Sequence, residues 1–316
     1  MARRLTVPTP PPLLPPAHEQ PLRPALPGSG GTRLLPGVAY AAIPGIRPLE
    51  LDLVLPPASD DPVPVVVFLH GGGWRVGSRH SAGPTYGAAS PTPFERLAQA
   101  GIAVASVDYR LSGEATWPTQ LHDAKAAVRW LRARSDELGI DPERVGAWGE
   151  SAGGHLAELL GLTGDDPALE GDVGITGPSS SVAAVAAWYA PSDVPALATD
   201  LGQDPTDPDT REALMLGAPA AHVPDLAAQA SPITHVSAGA PPFLLLHGRQ
   251  DRLIPCVQSE RLHAALVDAG VDVEFELYDG ADHMWKGSAD APQQALDRTT
   301  DFLRRQFAAR ATKDDT

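Results

Sequence analysis

The sequence predicts an α/β fold: a mostly parallel sheet of about eight strands, covered by helices on both faces, with a small cap insertion. Three observations predict it. Short β-branched runs such as VPVVVFL (Val63–Leu69) have no polar face, as a strand buried between two helical layers requires. Such runs alternate with helical segments of ten or more residues, which implies parallel pairing through right-handed crossovers. The chain has 316 residues, 43% of them hydrophobic, which is ample material for one large core.

In chain order, residues 1–36 read as a proline-rich N-terminal arm or tail, because the prolines crowd between Pro8 and Pro36 and favour extended, solvated chain. A globular domain follows over residues 37–310, and 311–316 form a C-terminal tail. Val38–Ile43 and Leu49–Leu55 read as a hairpin around the turn signal PGIRP, the one antiparallel pair expected. Val63–Leu69 is the next strand, ending abruptly in HGGGW. A helical stretch near Pro93–Ala100 precedes the strand Ile102–Arg110. Ala124, Ala127, Val128 and Leu131 recur at helical spacing in a long helix from about Trp117 to Leu138, which Gly139 ends. Arg144–Trp148 is a short strand running into GESAGG, with helix Ala152–Leu162 behind it. Then come strand Val182–Tyr189, strand Pro242–His247, helix Val257–Ala269, strand Val271–Tyr278 and a terminal helix from about Pro292 to Arg310. The stretch at about 191–241 is too long for an ordinary connection and reads as the cap.

Composition narrows the partners. Lys plus Arg number 24 against 39 Asp plus Glu, a net charge of −15, so a polyanion is repelled and nucleic acid is not expected; no stretch approaches the roughly 20 apolar residues of a membrane helix, so membrane insertion is not expected either. The single cysteine, Cys256, permits no intramolecular disulfide, and the N-terminal segment lacks the apolar run of a secretory signal; a cytoplasmic location is expected. There is no H-x-x-x-H or H-E-x-x-H spacing, and the glycines at 71–73 lack a following Gly-Lys-Ser/Thr, so no metal and no cofactor are expected.

The chemistry concentrates at strand ends. In VGAWGESAGGHL the strand–Gly149-Glu150-Ser151-Ala152-Gly153–helix arrangement lifts one serine out on a sharp turn whose flanking glycines remove obstruction. An unassisted hydroxyl is a poor nucleophile, so Ser151 needs a base and an orienting carboxylate. His283, in DGADH after strand VEFELY, and Asp251, in HGRQD after strand FLLLH, both lie beyond carboxyl ends of strands, which share one edge in a parallel sheet. Asp279 and Asp282 compete with Asp251 for the orienting role, but share a loop with His283 and are not expected to reach its far nitrogen. The amides of Gly72, Gly73 and Ala152 are the expected donors to a developing oxyanion, worth roughly 3 to 4 kcal/mol each.

The segments HGGGWRVGSR, DYRL, WPTQLHDAKAAVRWLR, DPERVGAWGESAGGHLA, ASPITHV, PPFLLLHGRQDRLIP and DGADHMW resemble the α/β-hydrolase superfamily. The branch they resemble holds bifunctional feruloyl/acetylxylan-esterase-like and hormone-sensitive-lipase-like carboxylesterases. That resemblance implies the α/β-hydrolase fold from about residue 38 to 308 and a serine carboxylesterase acting on a small-molecule ester through an acyl-enzyme. Trp74 and Trp285, flanking the motifs, are expected pocket walls. Amide chemistry of an arylformamidase kind and a non-catalytic ligand receptor on the same scaffold are the alternatives. Homo-oligomerisation is left open.

Overall fold

A computed structural model describes residues 15–311. Its strands and helices are β1 (Leu26–Pro27), β2 (Arg33–Ala41), β3 (Leu49–Leu55), β4 (Val63–Leu69), α1 (Pro93–Gln99), β5 (Ala103–Val107), α2 (Thr119–Ala133), α3 (Ser135–Leu138), β6 (Ile140–Glu150), α4 (Ala152–Leu162) and β7 (Val185–Trp188). The cap helices α5 (Val194–Asp200), α6 (Arg211–Leu216) and α7 (Pro224–Gln229) follow, then β8 (Phe243–Gly248), α8 (Val257–Asp268), β9 (Val273–Tyr278) and α9 (Ala291–Ala311).

The strands form one nine-stranded sheet in the order β1-β2-β3-β5-β4-β6-β7-β8-β9. From β5 to β9 every neighbour is parallel. Alternation along β4 explains the all-apolar run: Val65, Val67 and Leu69 enter the core shared with α2, α4 and α8, while Val66 and Phe68 enter the opposite core with α1 and α9. Because β5 lies on one side of β4 and β6 on the other, the winding reverses there, and a crevice opens beyond the carboxyl ends of β4 and β6.

Three details depart from the sequence reading. Antiparallel pairing is not confined to the first hairpin, since β1/β2 and β3/β5 are also antiparallel. The expected long helix is two, because the chain leaves helical geometry at Arg134 before Gly139, in the left-handed conformation, ends α3. The strand expected at Arg144–Trp148 extends to Ile140–Glu150.

The proline-rich segment is, within the described residues, extended and mostly exposed, and it is anchored to the domain at a few points. Leu22 packs half-buried against the core, β1 adds a ninth strand, and β2 begins at Arg33, before the expected boundary at 37. The His18 carbonyl accepts hydrogen bonds from the Trp130 indole at 3.0 Å and from Arg134 at 3.1 Å. Proline lacks only a donor, so its neighbours' carbonyls still pair, and Pro36 falls at a register shift between Leu35 and Val38, where a strand tolerates it. Residues 1–14 of the expected arm and all but the first residue of the expected C-terminal tail lie outside the described residues.

Candidate active site

Ser151 joins β6 to α4 with φ 51° and ψ −121°, a backbone an L-residue adopts only under constraint. The flanking glycines show the constraint. A Cβ on Gly149 would lie 2.2 Å from the Gly153 carbonyl oxygen, and one on Gly153 would lie 2.0 Å from that of Leu69. Close approach of α4 to the ends of β4 and β6 therefore requires both. Strain gathers at this edge: of the six described non-glycine residues with positive φ, Trp74, Ser151, Tyr189, Met284 and Trp285 surround it.

Asp251, Ser151 and His283 meet there from the loops after β8, β6 and β9. The Ser151 hydroxyl lies 3.0 Å from His283 Nε2, and His283 Nδ1 lies 2.7 Å from Asp251 Oδ2. The other carboxylate oxygen accepts the amides of Leu253 at 2.9 Å and Ile254 at 2.8 Å. Burial alone would raise the Asp251 carboxyl, but hydrogen bonds and charge from His247 and His283 hold it well below the usual carboxylate range. A charged Asp251 fixes the proton on Nδ1 and leaves Nε2 facing the hydroxyl as an acceptor. His247 lies 3.4 Å from the Asp251 carboxylate, while its ring nitrogens meet Ser259 Oγ and the Ile254 carbonyl, each at 2.8 Å. Asp279 and Asp282 instead pair with Arg249 and Arg252.

The triple-glycine loop after β4 is held from several sides. Tyr109 donates its hydroxyl to the His70 carbonyl at 2.9 Å and stacks on the His70 ring, whose basicity burial lowers. The Gly71 amide donates to Glu150 at 3.3 Å, and the amides of Arg75 and Val76 close on the Gly72 carbonyl at 3.2 Å. Gly72, Gly73 and Ala152 line one cavity with Ser151 and His283. Ala152 opens α4, where backbone N–H groups lack intrahelical partners and the helix dipole is positive.

That cavity measures about 610 Å³. Leu197, Leu201, Leu253 and Ile254 give it apolar wall, while Gln203, Asp204, Arg211 and Glu212 give it polar wall. None of these was foreseen: the cap reaches the site through the fold, and only Leu253 and Ile254, adjacent to Asp251, carried a positional hint. Trp74 lines the cavity as expected, with its indole donating to His155 at 3.2 Å. Trp285 does not. It is 1% exposed, packed between Trp188, Tyr189 and Tyr278, and Met284 lines the cavity in its place. Two successive left-handed residues, Met284 and Trp285, make that exchange. Among the described residues no His, Cys, Asp and Glu group is placed to hold a metal ion, and no helix is long and apolar enough to cross a membrane.

Comparison with known proteins gives this arrangement its relatives. A family model described as BD-FAE matches residues 51–266. Esterase LipC of Mycobacterium tuberculosis (strain ATCC 25618 / H37Rv) is 36% identical over 237 residues, covering 70% of this chain and 55% of its own length. Esterase LipQ of the same strain is 32% identical over 265 residues, 82% of this chain and 60% of its own. The chain thus spans little more than half the length of these curated relatives. Among solved structures, a truncated carbohydrate esterase from gut microbiota superposes with a TM-score of 0.76 at 29% identity, covering 89% of this chain and 99% of that one. An esterase from the planctomycete Thermogutta terrifontis, solved with propionate bound, gives 0.68 at 28% identity over 87% of this chain and 94% of that one.

Proposed function

The chain belongs to the BD-FAE family of α/β-hydrolase esterases, and from that premise we propose that it hydrolyses small to medium carboxylic esters through a Ser151 acyl-enzyme. The observation that carries the reading is the 3.0 Å approach of Ser151 Oγ to His283 Nε2, with Asp251 behind the imidazole at 2.7 Å. As Oγ attacks the acyl carbon, Nε2 takes its proton, and Asp251 stabilises the imidazolium without taking a proton itself. The carbonyl oxygen, now negative, meets the amides of Gly72, Gly73 and Ala152. Collapse breaks the ester C–O bond, and the alkoxide leaves with the proton from His283. Water then gives a proton to His283 and its hydroxyl to the acyl carbon, and the acid departs as Oγ recovers the proton.

The apolar wall suits a short acyl chain, and the propionate bound in the Thermogutta relative supports the same size. Polar cap residues in the lining suit an alcohol rich in hydroxyls, in keeping with the carbohydrate esterase among the relatives. Esterase names among those relatives favour ester over amide cleavage. Ser151→Ala is expected to lose about six decades of kcat on a nitrophenyl acetate or propionate ester. Activity near that of the unaltered chain would sink the assignment. A panel of acetylated sugar esters, feruloyl esters and N-formyl anilides, compared by kcat/KM, separates the substrate classes.

A further inference from the structure

Glu150, the residue before the serine, is 5% exposed, and among the described residues it pairs with no lysine or arginine. Its two oxygens have separate partners. Oε1 accepts the Gly71 amide at 3.3 Å and Oε2 accepts the Tyr189 hydroxyl at 2.6 Å. Both surroundings are shaped to admit it: a Cβ on Gly71 would lie 3.1 Å from Oε1, and one on Gly83 would lie 2.8 Å from Oε2. Tyr189 in turn presents its ring to His283, with centroids 4.7 Å apart in an edge arrangement. A buried carboxylate with no cation is costly unless something offsets it.

We propose that Glu150 is a positioning residue with two tasks, fixing the oxyanion loop through the Gly71 amide and supplying a second negative charge, with Tyr189 between, to the His283 imidazolium of turnover. The inference rests on the reading of Ser151 and His283 given above. The charge it needs as counterpart appears only when Ser151 gives up its proton. Burial pushes the Glu150 carboxyl up, against the hydrogen bonds from Tyr189 and Gly71 and the charge of His283. The other titratable groups facing this pair are Asp251 across the imidazole, with His247 behind it, and the phenols of Tyr189, Tyr86 and Tyr109. Asp282 accepts the His283 amide but is already paired with Arg252.

The test follows kcat and KM on a short nitrophenyl ester from acid to alkaline pH. Glu150→Gln, nearly isosteric, is expected to lower kcat about tenfold with little change in KM, since the loop's donors act on the transition state. Removing a carboxylate that favours the imidazolium moves the acid limb of kcat/KM about half a pH unit lower. Tyr189→Phe removes the hydrogen bond that opposes burial at Glu150, moves the limb the same way, and decides the matter if the first variant does not fold. A limb that stays in place in a folded variant overturns the proposal, because a packing role alone would not move it. Labelling of the unaltered chain by a fluorophosphonate at Ser151 is the separate control. Its absence overturns the reading of the site, whereas labelling with an unmoved limb overturns this inference alone.

Discussion

His155 shows how one side chain ties three parts of the site together. It is fully buried in the first turn of α4, accepts the Trp74 indole N–H on Nδ1 and donates from Nε2 to the Ala230 carbonyl at 2.6 Å. Burial lowers its pKa to about 4, against about 6.5 when exposed. The unfolded chain therefore takes up the proton first, so the contribution of this residue to stability is complete above about pH 6.5 and drains away as pH falls toward 4, about 3 kcal/mol in all. Asp251, held low, acts in the window beneath, losing its contribution as pH drops below about 3.9. The midpoint of urea unfolding is expected to fall between pH 7 and 4.5, and to fall less in His155→Gln; equal slopes in the two proteins would refute the assignment. At this scale the sequence was most legible where backbone position decides. Ser151, Asp251 and His283 could be placed because each follows a strand. Trp285 could not, since its direction depends on two left-handed residues that no apolar pattern announces.

Among the elements, the strands were readable one by one, whereas the cap was readable as a segment but not in its reach to the site. Runs apolar on both faces mark β4, β5 and β8, whereas α5, α6 and α7 have seven, six and six residues, too few turns to display a helical period. The cap is held by burial of Val194, Met215, Leu216, Ala227 and Ala230 in the core, and by charge and hydrogen bonding at long range. Asp200, the last residue of α5, receives Arg261 of α8 at 2.5 and 2.7 Å and Gln258 at 2.7 Å, and those partners hold its carboxyl below the ordinary range. Leu197 and Leu201 beside it line the cavity. Arg261→Ala is expected to raise KM about threefold to tenfold with kcat nearly unchanged, as when binding common to ground and transition states is lost. A fall in kcat at constant KM would instead place the effect on the chemistry.

On the scale of the molecule, composition gave the class of fold but not the points at which its N-terminal edge is anchored. Proline density indicated extended, solvated chain, and residues 15–31 are mostly exposed; what it could not announce is the burial of His18, the pairing of β1 and the packing of Leu22. Extended chain with free carbonyls is what an edge strand and a surface strap both use. A chain lacking residues 1–31 loses β1, the carbonyls that meet Trp130 and Arg134, and the packing of Leu22. Its Tm is expected to drop by about 5 °C by calorimetry while kcat on a small ester stays the same. Unchanged melting would mean that these contacts contribute nothing to stability.

The order in which the three meeting side chains occur along the polypeptide carries a consequence for synthesis. The hydroxyl is made first, its carboxylate support comes 100 residues later, and the imidazole that joins them another 32 beyond, after β9. Until that last loop has been translated and has docked, a growing chain carries a nucleophile with no base. Under the proposed mechanism, a fragment that ends before that loop holds a hydroxyl without its base and is inert toward esters.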